Sequence, residues 1–165
     1  MQAFVTVGST KFDDLIDTVA SEDFLTRLSA NGYTRLVVQY GKSKLRLPFQ
    51  GETSHGVEII AWQFKPSLSE EYLAADLVIS HAGSGTILEV LRLNKRLIVV
   101  ANETLLDNHQ RELADALSTQ GHLVSSTVSS LPQALESIAT MKVVPFPPFD
   151  GSKFARILDE EMGFI

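Results

Sequence analysis

The residues whose types and spacing could do chemistry lie closest together between Ala75 and Glu89, in the stretch Ala-Asp-Leu-Val-Ile-Ser-His-Ala-Gly-Ser-Gly-Thr-Ile-Leu-Glu. Leu77-Val-Ile-Ser80 has the composition of a strand buried on both faces. Gly83 and Gly85 interrupt it. Without a Cβ, backbone there can turn tightly and come close to a ligand. Thr86 followed by Glu89 has the spacing of a capping box, which predicts that a helix opens at Thr86. Strand, glycine turn and helix start together present free backbone N–H groups at the positive end of a helix dipole. The chemistry this predicts is phosphate binding.

The standard phosphate and nucleophile motifs each fail on a named residue. A Walker loop needs Gly-Lys-Ser/Thr, and no lysine follows Gly85. The dinucleotide pattern starts at Gly83-Ser84-Gly85 but has Leu88 in place of its third glycine. A nucleophile elbow wants Gly-x-Ser-x-Gly, whereas Ser84 is flanked directly by both glycines. A plain tight turn with no ligand is the simplest alternative. An α/β hydrolase using Ser84 with His109 and Asp107, and a non-catalytic nucleotide-sensing domain, are two others.

Positioning this turn requires a sheet. Ala3–Val7, Arg35–Tyr40, Val57–Trp62, Leu77–Ser80, Leu97–Val100 and His122–Val124 read as strands, six in all. Helices are expected after Asp13, over Glu22–Ala30, from Pro66-Ser67 through Leu73, and from Asn108 behind an Asp107 cap. The helix after Asp107 carries Leu113, Ala114, Ala116 and Leu117 inward. Two more helices run from Pro132 to about Met141 and from Ser152 to Met162. Gly41 to Gly56 reads as a long exposed loop, with Lys42, Lys44 and Arg46 as solvated cations. Alternating strands and helices give an α/β fold with a doubly wound parallel sheet covered on both faces. Ligands of such sheets sit beyond the carboxyl ends of the strands. Three segments meet at that edge: Gly8-Ser9-Thr10, His81 to Thr86, and the Asn108-His109-Gln110 helix start. The nucleotide-binding unit is expected over 1–145, with 146–165 as a Pro-rich turn, helix and tail.

Composition narrows the function classes. The 165 residues suit one domain, 44% hydrophobic and 21% charged. A formal net charge of −6 argues against a nucleic-acid partner. The absence of cysteine removes disulfides and thiolate metal sites, and the four histidines have no metal-ligand spacing, so no metal and no cofactor are expected. No run approaches a membrane span, and a cytoplasmic chain is expected.

Three segments together resemble the glycosyltransferase family 28 C-terminal domain: Phe4-Val-Thr-Val-Gly-Ser-Thr-Lys-Phe-Asp-Asp-Leu-Ile16, Ala75 to Thr86 with Glu89, and Asp107-Asn-His-Gln110. Where that family often shows Gly-Thr-Thr after the first strand, this chain has Gly8-Ser9-Thr10, which keeps the hydroxyl. The resemblance implies a Rossmann-like domain equivalent to the C-terminal, donor-binding half of a GT-B enzyme. It implies a subunit of an inverting, metal-independent enzyme that moves N-acetylglucosamine from UDP-GlcNAc to a dolichyl-diphosphate-linked N-acetylglucosamine in N-glycan precursor assembly. The implied partner is a membrane-anchored, acceptor-binding subunit, which recruits the chain to the cytosolic face of the endoplasmic reticulum.

By the same resemblance, Gly83, Ser84, Gly85 and Thr86 would hold the diphosphate, helped by Gly8, Ser9 and Thr10. Glu89 would accept from the ribose hydroxyls, with the capping box as its alternative role. Asn108 and Gln110 would bind sugar hydroxyls, and His81 and His109 have no settled role. No residue stands out as the catalytic base that inversion requires. Phe154, Ile157, Leu158 and Met162 form an apolar stripe, extended by Phe164 and Ile165, and mark helix 152–165 as the expected docking segment.

Overall fold

The structure, a computed structural model, describes residues 1–44, 53–102, 109–148 and 150–163, the side chains of residues 109, 110, 153 and 154 excepted. In chain order the elements are β1 (Gln2–Thr6), α1 (Asp13–Val19), α2 (Glu22–Ala30), β2 (Arg35–Gln39), β3 (Thr53–Ser54), β4 (Val57–Trp62) and α3 (Ser69–Ala74). There follow β5 (Leu77–His81), α4 (Ser84–Arg92), β6 (Arg96–Val100), α5 (His109–Thr119), β7 (Val124–Ser126), α6 (Leu131–Thr140) and α7 (Ser152–Glu161).

Among the described residues seven strands form one sheet in the order β3-β4-β2-β1-β5-β6-β7. All neighbours are parallel except β3, which runs antiparallel to β4. The doubly wound parallel sheet predicted from the sequence is therefore present. β1 lies between β2 and β5, with Phe4 opposite Val37 on one side and Val78 on the other. After β4 the chain crosses back over β1, so the topological switch point falls between the carboxyl ends of β1 and β5. That crevice is where such sheets bind ligands.

Successive strand residues alternate between two buried faces. Val5, Leu36, Val38, Ile79 and Ile98 pack toward the side of α1, α2 and α6, with Leu15, Leu25 and Leu135. Phe4, Val78, Leu97 and Val99 pack toward α3, α4 and α5, with Tyr72, Ile87 and Leu117. Fully burying a side chain of this size stabilises the fold by ~1.5–3 kcal/mol, so a core this continuous holds the strand ends in register.

Four expectations need correction. β3 is a seventh strand inside the expected 41–56 loop, and its turn places His55 at φ 52° and Gly56 at φ 79°. Two positive φ values make the tight hairpin turn that usually shows in sequence as Asn-Gly, so His-Gly hid it. The last strand is Val124–Ser126 rather than His122–Val124. His122 is instead a packed side chain whose Nδ1 donates to the Val144 carbonyl at 2.9 Å. Ala116 is exposed rather than inward. Coverage of the second face is incomplete: the short α3 leaves a groove over Val37, Ile60 and Trp62. No helix among the described residues is long and apolar enough to cross a membrane.

Candidate functional site

The helix behind the glycine turn starts at Ser84, with Gly83 as its N-cap and no side chain capping it. The predicted capping box is therefore wrong. Thr86 is already the third helical residue, and the first intrahelical bond runs from Ile87 N–H to the Gly83 carbonyl at 3.0 Å. Glycine serves at an N-cap almost as well as Thr, so the hydroxyl was not needed there. Two consequences follow. The N–H groups of Ser84, Gly85 and Thr86 precede any intrahelical acceptor, and the Glu89 carboxylate is left exposed with no capping role.

His81 fixes the shape of the crevice from below. A Cβ on Gly83 would lie 2.7 Å from His81 Nε2, and one on Gly8 would lie 2.9 Å from His81 Cε1. The imidazole is thus wedged between the β1 turn and the β5 turn, and neither glycine can carry a side chain beside it. Its Nδ1 is buried without a partner. Burial pushes the ring below the usual histidine range, with the Thr6 backbone carbonyl opposing, which favours the neutral imidazole.

The β1 turn is braced locally. The Gly8 N–H donates to Thr6 Oγ1 at 3.0 Å, and Thr10 Oγ1 donates to the Val7 carbonyl at 2.7 Å. Thr10 therefore closes the turn in this structure, while Ser9 is exposed at its tip.

A cleft of about 390 Å³ opens at the switch point, and Gly8, Gly85, Thr86 and Glu89 line it. These four predicted residues are brought together around one space; His81 and Gly83 lie behind it. Asn108 lies outside the described residues, as do the side chains of His109 and Gln110, the Asp107 cap, Arg46 and the Phe164-Ile165 tail.

Sequence reasoning missed the opposite wall, built from Gln39, the segment Phe64 to Ser69, and Tyr72. Its one available signal was Pro66-Ser67 following a strand, a loop at the ligand-bearing edge. Phe64, 60% exposed, stands at the mouth of this cleft. Lys65 lies 4.7 Å over the Trp62 ring and pairs with Glu71. The Tyr72 hydroxyl is hydrogen-bonded to Thr86; burial pushes it above the usual phenol range, Thr86 opposes, and Glu89 and Glu71 add to the rise.

A larger concavity, about 630 Å³, lies at the same sheet edge beside β6 and β7 and carries Asp14, Asp17 and Asp23. Three carboxylates have the wrong sign for a phosphate. The smaller cleft, which holds the α4 start and Lys65, is the candidate anion site. Among the described residues no group of three His, Cys, Asp or Glu could hold a metal ion.

Comparison with known proteins supports the same reading of the fold. The model of the glycosyltransferase family 28 C-terminal domain matches residues 2–160. The chain is 45% identical over 140 residues to the UDP-N-acetylglucosamine transferase subunit ALG13 of Homo sapiens, covering 83% of this chain and 12% of the human protein. To the subunit of the same name from Saccharomyces cerevisiae it is 34% identical over 191 residues, covering 95% and 94%. The chain thus spans nearly all of the yeast relative but only a small part of the human one. An NMR solution structure of ALG13 matches with a TM-score of 0.70 at 31% identity, covering 95% of this chain and 94% of that one. MurG of Acinetobacter baumannii matches with a TM-score of 0.62 at 20% identity, over 84% of this chain and 40% of that one, a likeness of fold alone. A match over nearly the whole chain, joined to relatives at this identity, means that the chain belongs to the glycosyltransferase family 28 C-terminal domain family.

Proposed function

We propose that the chain binds UDP-N-acetylglucosamine in the switch-point cleft and is the donor-binding, catalytic subunit of an inverting N-acetylglucosaminyltransferase. The observation that carries this is the set of N–H groups of Ser84, Gly85 and Thr86 at the start of a nine-residue helix, beside Gly8 and within one cleft with Glu89. In this reading the diphosphate sits on the helix start and Glu89 accepts from the ribose hydroxyls. Phe64 covers the base, and Asn108 and Gln110 receive the sugar. As the anomeric bond breaks, negative charge grows on the departing UDP, and preorganised N–H donors and the α4 dipole stabilise it. Those donors do what a cation would otherwise do, so transfer runs without a metal.

The acceptor in this proposal is a dolichyl-diphosphate-linked N-acetylglucosamine at the cytosolic face of the endoplasmic reticulum. The word subunit in the relatives' names supports a partner. We assign that partner the acceptor half, the membrane anchor and the base, with α7 as the docking element.

The test is a calorimetric titration of the chain with UDP in buffer containing EDTA. A saturable isotherm is expected, and UDP at 100-fold its Kd raises stability by ~2.7 kcal/mol. Glu89→Ala weakens binding by ~1–3 kcal/mol, the loss of a hydrogen bond to a charged group. Absence of binding, or binding only on addition of Mg²⁺, overturns the proposal.

Gly85 offers a cleaner separation of fold from ligand. A Cβ there would meet nothing within 4 Å, and alanine is favoured over glycine in a helix by up to ~1 kcal/mol. Gly85→Ala is expected to melt at or above the wild-type temperature while losing UDP affinity about tenfold or more, ~1.4 kcal/mol. A variant with undiminished affinity would show that the ligand does not approach the α4 backbone.

A further inference from the structure

The end of β2 holds a polar side chain that no motif explains. Gln39 is 1% exposed, paired in the sheet with Thr6 on one side and Trp62 on the other. Its Nε2 donates to the Gly8 carbonyl at 2.8 Å, while its Oε1 is buried without a partner and the residue lines the switch-point cleft. The amide cannot turn over, since that would set Oε1 against the Gly8 carbonyl oxygen. An unpaired buried acceptor carries a desolvation cost, and an apolar side chain of the same length would avoid it. The feature gained is the orientation of one peptide plane.

That plane is the Gly8–Ser9 peptide. In a trans peptide the carbonyl and the following N–H point in opposite directions. Drawing the Gly8 carbonyl inward to Gln39 therefore turns the Ser9 N–H outward, and no acceptor among the described residues takes it. The opposite orientation would aim a carbonyl lone pair at the space where an anion binds. We propose that Gln39 is a positioning residue of the donor site, which sets the Gly8–Ser9 peptide so that the Ser9 N–H donates to a phosphate of the bound nucleoside diphosphate. This rests on the reading of the cleft as a nucleotide-sugar site; the family resemblance already set the β1 turn beside the diphosphate, and what is new is that Gln39 aims its donor.

The experiment compares wild type and Gln39→Met with two probes, UDP and uridine, following binding by amide NMR shifts. Methionine keeps the length of the side chain and removes both polar atoms. The expected result is a loss of UDP affinity of about tenfold, unchanged uridine affinity, and a Ser9 amide shift with UDP that is present in wild type and reduced in the variant. A general loss of structure would weaken both ligands alike, so equal losses overturn the proposal, as does undiminished UDP affinity. If Gln39→Met does not fold, the wild-type amides decide. A Ser9 amide that responds to UDP but not to uridine supports the proposal. A Gly85 amide that responds to UDP while Ser9 stays silent overturns it. If neither responds and UDP does not bind, the nucleotide reading of the cleft fails first and the Gln39 proposal falls with it.

Discussion

Gly41→Ala is expected to be among the most destabilising single substitutions in the chain, although it adds only a methyl group. Gly41 has φ +55°, and a Cβ there would lie 2.5 Å from the Thr10 carbonyl oxygen and 2.8 Å from that of Gly8. Both obstacles are backbone, so no rotamer change relieves them. The turn is also fixed from the other direction: the Lys42 N–H donates to the Thr10 carbonyl at 2.9 Å, and Gln39 Nε2 to that of Gly8. Left-handed backbone costs a non-glycine residue roughly 1–2 kcal/mol, and overpacking adds about 1–3 kcal/mol. The expected loss is ~2–5 kcal/mol out of a typical total of ~5–15. Urea denaturation measures it. A loss below ~1 kcal/mol would mean that the two turns are not packed as described. Because the displaced groups belong to the Gly8 turn, the variant is expected to lose UDP affinity as well.

The contrast between Gly41 and Gly85 shows what can be read from residue types and what cannot. Gly83 and Gly85 were legible because they interrupt an apolar strand just before a helix. Gly41 and Gln39 carried no such signal, for their meaning lies in contacts to a turn 31 residues earlier. The whole segment after β2 serves that turn. Ser43 Oγ accepts the Phe12 N–H at 2.7 Å, and the Lys44 N–H donates to Asp13 Oδ1 at 2.9 Å. Lys42 and Lys44, read from the sequence as solvated cations, act here through their backbone N–H groups, which a charge pattern cannot reveal.

The strands were legible because a sheet buried on both faces needs continuous apolar runs, and five of the seven described strands contain one, whereas Thr53-Ser54 and Val124-Ser-Ser126 do not. The capping box failed for a physical reason: Thr and Glu three residues apart also occur inside a helix, and only the first hydrogen bond tells where it begins. The same correction sharpened the site, since a helix that starts at Ser84 leaves Glu89 exposed in the cleft. The wall from Phe64 to Ser69 was not legible, because loop residues contact a ligand through geometry that the β4–α3 connection alone sets.

Deleting residues 152–165 is expected to abolish co-purification with a membrane-bound partner subunit while leaving the sheet folded. Among the described residues of α7 none is buried. Ile157, Leu158 and Met162 are 57%, 46% and 65% exposed, so Leu158 does not pack on the chain's own sheet. On the other side of the helix Arg156 pairs with Glu160 at 2.8 Å, which leaves one apolar and one charged face. A grouped apolar face of this kind marks an interaction surface better than scattered exposed residues do. The preceding segment is anchored without α7: the Val144 N–H donates to the Gly121 carbonyl at 2.9 Å, and Phe146 packs edge-on against His122 at 5.3 Å. A cut at residue 152 therefore leaves the core and the cleft untouched, and circular dichroism and UDP affinity are expected to match wild type. Burying each of the three side chains is worth ~1.5–3 kcal/mol. The double substitution Ile157→Asp with Leu158→Asp, which keeps the chain at full length, is accordingly expected to weaken the partner complex 100-fold or more, ~2.7 kcal/mol. Full partner binding by either variant would remove α7 from the interface. Loss of the circular dichroism signal on deletion would show instead that α7 supports the fold, and the double substitution would then decide between the two roles.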